Sequence, residues 1–239
     1  MAVISAPEQN RLLAALPASV KKNFFSHLKL VELKLGDVVY EPGQPPEYVY
    51  FPVDCIISLL YVMLNGSSAE ISVVGNEGMV GVAVFMGGGS TPNRMVVQSN
   101  GFAYRMSSAA LTDEFNAHAE VRVLMLRFTQ ALITQMSQTA VCNRHHSIVQ
   151  QLCRWLLLSL DRLQGNHLKM TQELIANMLG VRREGVTEAA GKLQKLGVIE
   201  YNRGDITVLD RQALETLSCE CYAVVKRETE RLSSYDTTP

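Results

Sequence analysis

Met170-Thr171-Gln172-Glu173-Leu174-Ile175-Ala176-Asn177-Met178-Leu179-Gly180-Val181-Arg182-Arg183-Glu184-Gly185-Val186-Thr187-Glu188 is the most informative segment of the 239-residue chain. Thr171 is placed to cap a helix running to Leu179, with Glu173 in the first turn, where a negative charge suits the helix dipole. Leu174, Ile175, Met178 and Leu179 give that helix one apolar face, and Gly180 supplies a turn. A second helix is predicted over 182–196, stopped by Gly197. Advancing 100° per residue, Val186, Ala189, Ala190, Leu193 and Leu196 gather on a buried face, leaving Glu184, Thr187, Glu188, Gly191 and Lys195 opposite. Two helices joined by a short glycine turn form a helix-turn-helix whose second helix can enter a DNA major groove. Arg183 can donate twice to guanine O6 and N7, and Glu184 can accept from cytosine N4.

Downstream, Val198-Ile199-Glu200-Tyr201-Asn202-Arg203-Gly204-Asp205-Ile206-Thr207-Val208 reads as two strands around a glycine turn, a wing that brings Arg203 toward phosphate. Any αα-hairpin imitates the two helices; the wing and the local charge separate the readings. Residues 143–211 carry ten Lys/Arg against seven Asp/Glu, whereas the segments on either side are each net acidic. The expected DNA contacts are therefore Thr171, Gln172, Arg182, Arg183, Glu184, Thr187, Glu188 and Arg203.

Upstream, residues 146–163 form an amphipathic helix ended by Gly165. A longer helix over about 119–142 contains no Pro or Gly. Its apolar positions Val121, Met125, Phe128, Leu132 and Met136 step by 4, 3, 4 and 4, close to a coiled-coil seam that Gln135 and Thr139 weaken. Such a stripe can pack on the chain's own β region or on a second copy. Its position between a β region and a DNA module favours the second copy, a homodimer seam. Before it, short β-rich runs at 38–40, 48–51, 56–63, 70–74, 95–98 and 102–106 alternate with turn signals such as Gly36-Asp37, Asn65-Gly66 and Asn100-Gly101, which implies a sandwich or barrel. Residues 5–30 read as one or two short helices.

Hydrophobic residues make up 47% of the chain and charged ones 19%, the balance of a globular protein, and no apolar run is long enough to cross a bilayer. No basic flank followed by an apolar stretch opens residues 1–10. Five irregularly spaced cysteines argue for free thiols, and together these features point to the cytoplasm. Cys219-Glu220-Cys221 is a candidate metal pair, but residues i and i+2 on a helix point apart, and ordinary helix residues are the better reading. His145-His146 reads as a solvated pair at the join between long helix and DNA module. No cofactor is expected. A cupin-like metal enzyme, the remote alternative, would need histidine ligands in the β region, and residues 33–106 contain no histidine.

The helix-turn-helix segment resembles the DNA-binding domain of the Crp/Fnr family of bacterial transcription regulators. Lys34-Leu35-Gly36-Asp37-Val38-Val39-Tyr40-Glu41-Pro42-Gly43-Gln44 is similar to the opening turns of that family's cyclic-nucleotide-binding β-roll. The resemblance implies an α+β architecture: an N-terminal double-stranded β-helix, or β-roll, sensor over residues 1–118, a dimerisation helix over 119–143, and a winged helix-turn-helix with a helical tail over 144–239. It implies a non-enzymatic homodimer on palindromic double-stranded DNA, with RNA polymerase as a further partner. The chain departs from the family at two DNA-facing positions: Arg182 stands where Ser or Thr often caps the recognition helix, and Glu188 where an Arg is common. Glu188 is expected to pair with Lys192 instead. In the roll, Val82 and Met95 replace a Glu and a Ser or Thr that hold a cyclic nucleotide, leaving Gly81 and Arg94 as ligand candidates. Control by cyclic AMP is not expected; a cyclic dinucleotide, a haem-bound gas or a small acid is the alternative effector. The cysteine-rich N-terminus of iron–sulfur members is absent, the first cysteine being Cys55.

Overall fold

The computed structural model describes residues 6–233; the outermost residues of the two expected domains, 1–5 and 234–239, lie outside this range. Two short helices, α1 (Arg11–Ala14) and α2 (Ala18–Ser26), lead into seven strands: β1 (Lys29–Leu33), β2 (Val38–Tyr40), β3 (Tyr48–Pro52), β4 (Ile57–Val62), β5 (Ser68–Val74), β6 (Arg94–Val97) and β7 (Gly101–Ser107). These pair antiparallel into two sheets, ordered β1-β7-β3 and β2-β6-β4-β5, which enclose a core of Phe24, Val49, Phe51, Leu59, Met79 and Met106. The turns match the predicted signals: Gly36, Gly43 and Gly66 all sit at positive φ, where a side chain would be strained. Strand β1 was not legible, because Lys29-Leu30-Val31-Glu32-Leu33 is a short edge run adjoining a helical pattern.

Helix α3 (Ser108–Ala117) is capped by the Ser107 hydroxyl, and α4 (Ala119–His145) follows almost without a break. The expected seam faces inward. Val121, Met125, Phe128 and Leu132 are buried in the roll's core and so unavailable to a second copy, and the half-buried Met136 packs against them. Phe128 stands so close over Gly78 that a Cβ there would lie 1.9 Å from the ring. Gln135, which weakened the seam in sequence, is buried because its side chain pairs with β5: Nε2 donates to the Val73 carbonyl at 3.0 Å, and Oε1 accepts from the Ser72 hydroxyl and the Val73 amide. The apolar residues that α4 exposes are Val123, Leu126, Ile133 and Val141, on the other side of the helix.

A capping box of Ser147 and Gln150 starts α5 (Ile148–Leu160). Strand β8 (His167–Lys169), helices α6 (Gln172–Leu179) and α7 (Arg183–Lys195), strands β9 (Ile199–Asn202) and β10 (Asp205–Val208), and helices α8 (Arg211–Leu217) and α9 (Glu220–Ser233) complete the chain. The wing is a three-stranded sheet, β8-β10-β9, one strand more than the sequence reading. Four of the five predicted core residues of α7 are buried; Leu196 sits at the helix C-cap and is 57% exposed.

The second core joins the two halves. Ile56, Leu60 and Val73 of the roll pack with Leu152, Trp155 and Leu156 of α5. Beside them, Arg162 Nε lies 2.7 Å from Glu77 Oε1 in a buried ion pair, and Arg162 also donates to the Leu158 carbonyl while Glu77 accepts from the Gly75 amide. Between the same layers the Ser58 hydroxyl contacts Glu70 Oε2 at 2.6 Å and Gln98 Oε1 at 2.7 Å. A hydroxyl has one proton. Both contacts are satisfied when Ser58 donates to Gln98 and a protonated Glu70 donates to Ser58, in keeping with burial pushing the Glu70 carboxyl up to about 7.

Candidate nucleic-acid interface

Local chemistry sets α6 and α7. The Thr171 hydroxyl accepts from the Leu174 amide, and Gly180 ends α6 in the left-handed conformation, φ 65°. Arg182 occupies the N-cap of α7 with no side-chain cap, as its side chain predicts, so the first amides of α7 are not bonded by a capping group. Gln172 Oε1 accepts from the Thr187 hydroxyl at 2.7 Å, a bridge between the two helices that the sequence reading missed because it depends on their crossing. Gly185 gives close approach: a Cβ there would meet Ile148 of α5 at 2.6 Å.

Arg182, Arg183, Glu184, Thr187 and Glu188 are all exposed on the outer face of α7. Arg203 and Gly204 form the two-residue turn between β9 and β10, both at positive φ, 49° and 91°, the twist a tight hairpin needs. Holding a non-glycine residue there costs about 1 kcal/mol and aims Arg203 outward from the tip. Thr171, Gln172, Arg183, Tyr201 and Arg203 line one cleft, so the start of α6, the start of α7 and the wing converge. Tyr201 is anchored by donation to the Met170 carbonyl at 3.1 Å. Among the described residues Arg182, Arg183 and Arg203 enter no ion pair, and the anticipated pair between Glu188 and Lys192 does not form.

The roll's candidate ligand residues have other occupations. Gly81 sits at φ 113°, and a Cβ there would lie 2.6 Å from Tyr40 Oη and 2.8 Å from Val49 Cγ1. Tyr40 is fixed in that place by donation to the Tyr48 carbonyl. Arg94 NH2 is 2.9 Å from Glu41 Oε1, and its Nε is buried without a partner. Arg94 thus already holds a carboxylate, and the space over Gly81 is taken by Tyr40 and Val49. Gly87-Gly88-Gly89 is an exposed loop with open space around it.

His146 is not solvated: its ring contacts Cys221 and Glu220. Cys219 lies before α9 rather than within it, so Cys219 and Cys221 converge instead of pointing apart.

This arrangement, an antiparallel β-roll, a long helix and a winged helix-turn-helix with an exposed basic recognition face, defines a DNA-binding transcription regulator fold. Family comparison agrees: residues 30–118 match the cyclic nucleotide-binding domain and residues 150–217 the Crp-like helix-turn-helix domain. The chain belongs to the Crp/Fnr family. Among solved structures, it is similar to a protein described as a transcriptional regulator of the Crp/Fnr family from Eubacterium rectale, with TM-score 0.69 at 19% identity over 88% of this chain and 98% of that one. FixK2 from Bradyrhizobium japonicum gives TM-score 0.67 at 16% identity, covering 80% and 98%. The c-di-GMP responsive global regulator CLP of Xanthomonas campestris gives 0.64 at 15%, covering 80% and 99%. No helix among the described residues is long and apolar enough to cross a membrane.

Proposed function

We propose that the chain is a homodimeric, sequence-specific regulator that reads a two-fold-related DNA site without control by cyclic AMP, and is not an enzyme. The observation that carries this reading is the convergence of Arg183 and Arg203, both without ion pairs among the described residues, on one open cleft with Thr171 and Gln172. Unpaired guanidinium groups suit a polyanion. Arg183 and Glu184 read base edges; Arg182, Arg203 and Thr171 hold phosphates; Gln172 and Thr187 brace each other at the start of the groove-entering helix. Glu188 cannot bond guanine acceptors, so it shifts the half-site away from sequences that need a cation at that turn.

The dimer seam proposed in place of the buried stripe is the exposed row Val123, Leu126, Ile133 and Val141, whose spacing keeps it on one side of α4. The filled surroundings of Gly81 and the Glu41–Arg94 pair support independence from cyclic AMP.

The test is selection of bound duplexes from a random library by the full-length protein, followed by anisotropy titration of the enriched site. Arg183→Ala is expected to weaken binding by about 1 to 3 kcal/mol, roughly fivefold to 150-fold, and to relax preference at one base pair per half-site. Unchanged affinity and preference would reject this recognition surface.

A further inference from the structure

Where α4 meets the join to α5, four side chains that are distant in sequence come together. Cys142 and His146 are one helical turn apart at the end of α4; Cys219 precedes α9 and Cys221 lies in its first turn. One ligand atom from each, three Sγ and one imidazole nitrogen, all lie within 4.8 Å of one another. Cys142 Sγ and Cys219 Sγ are 3.5 Å apart, and Cys221 Sγ is 3.6 Å from His146 Nδ1. The three thiols are buried and His146 is largely covered.

A tetrahedral zinc ion with bonds of about 2.3 Å to sulfur and about 2.0 Å to nitrogen sets its ligand atoms roughly 3.5 to 3.8 Å apart. The Cys142–Cys219 and Cys221–His146 edges fall at that spacing. A four-iron cluster, with metal and sulfide between its thiolates, would hold them much further apart. A Cys142–Cys219 disulfide would need the sulfurs at about 2.05 Å and would leave Cys221 and His146 unexplained.

We propose that Cys142, His146, Cys219 and Cys221 form a closed tetrahedral site for a divalent ion of the zinc type, clamping α9 onto the end of α4. Two further observations fit the same chemistry. His146 Nε2 lies 3.3 Å from Glu220 Oε2, so a carboxylate accepts from one ring nitrogen while the other faces the thiols, the usual way a metal-binding imidazole is oriented. Three thiolates and a neutral imidazole around a dication carry a net charge of −1. Arg154 supplies the balancing charge: it is buried, makes no ion pair among the described residues, donates to Thr139 Oγ1 at 3.1 Å, and its field acts on Cys142 and Cys221. Binding is a ligand exchange without redox: three S–H protons leave to solvent as three sulfur–metal bonds form. The other two cysteines, Cys55 and Cys153, belong to the two apolar cores and are outside this group of four.

The site stands one residue before the Ser147 cap of α5, where the long helix hands over to the DNA-binding domain. Its metal therefore fixes the tail helix to the hinge between the two halves.

The test uses the full-length protein purified under reducing conditions without chelator. Elemental analysis is expected to find about one zinc per chain. Cobalt replacement is expected to give the intense visible bands of a tetrahedral ion with thiolate charge transfer in the near ultraviolet. Cys219→Ser and Cys221→Ser should each lower metal content at least fivefold, whereas Cys55→Ser should retain it. Should a variant fail to fold, wild-type protein stripped by chelator is titrated with Zn2+, and one equivalent should shield three thiols from a thiol reagent. Folded, reduced wild-type protein that takes up neither Zn2+ nor Co2+ would overturn the proposal. So would unchanged metal content in both Cys219→Ser and Cys221→Ser, or a Cys142–Cys219 disulfide in metal-free protein purified without reductant.

Discussion

Two arginines around the β-roll and three on the DNA-facing surface of the winged helix stand in opposite settings. In the roll and at its border, Arg94 is paired with Glu41 and Arg162 is buried against Glu77. On the winged helix, Arg182, Arg183 and Arg203 stand exposed with no carboxylate within ion-pair distance among the described residues. Where the chain supplies its own anion, none is needed from outside; where it leaves guanidinium groups open beside an uncapped helix start, an external polyanion fits. The family's two domains therefore diverge within one chain. The DNA module keeps an open face of exposed arginines, while in the roll Tyr40 and Val49 pack over Gly81 and Glu41 holds Arg94.

The largest test of this contrast is Arg162→Ala. Removing one partner of a buried pair leaves Glu77 charged and desolvated, and should cost about 3 to 5 kcal/mol in urea unfolding. A loss under about 1 kcal/mol would show that the pair is not the bolt between the halves. Next comes Glu70. Its carboxyl is raised from 4.5 to about 7 by burial, so the folded state prefers the protonated form. The associated stability is fully present below about pH 4.5 and is lost as pH rises through about 7, an effect on the order of 3 kcal/mol. Glu70→Gln should flatten that part of the stability profile, and a parallel, undiminished slope in the variant would contradict the assignment. Thr171→Ala removes the α6 cap and should cost about 1 kcal/mol of stability by thermal unfolding. Smallest is Arg94→Ala. A half-exposed pair contributes about 0 to 1 kcal/mol, so stability and DNA affinity should barely move; a large loss of DNA binding would make Arg94 an effector anchor after all.

Legibility followed the range of the interactions. Strand runs, turn glycines, the Thr171 cap and the outer face of α7 depend on neighbours a few residues away, and they read directly from Gly36-Asp37 or Thr171-Gln172-Glu173. Helix α4 did not, because it carries apolar residues on two sides, and periodicity alone cannot say which side meets the chain's own sheet. Gln135 looked like a flaw in a seam until β5 supplied its partners. The Glu41–Arg94 pair spans 53 positions, and the cluster of Cys142, His146, Cys219 and Cys221 joins two helix ends about 75 positions apart. No local pattern announces either. For Cys219 and Cys221 the local rule misled, since it assumed a helix that begins one residue later.

The most direct test of the account is an anisotropy titration of the full-length protein against its selected duplex, in the absence and presence of saturating cyclic AMP, over a range of salt. The account predicts tight binding without nucleotide, no change on adding it, and affinity falling steeply with salt as Arg182, Arg183 and Arg203 release phosphate counterions. Binding that appears only when cyclic AMP is added would contradict it.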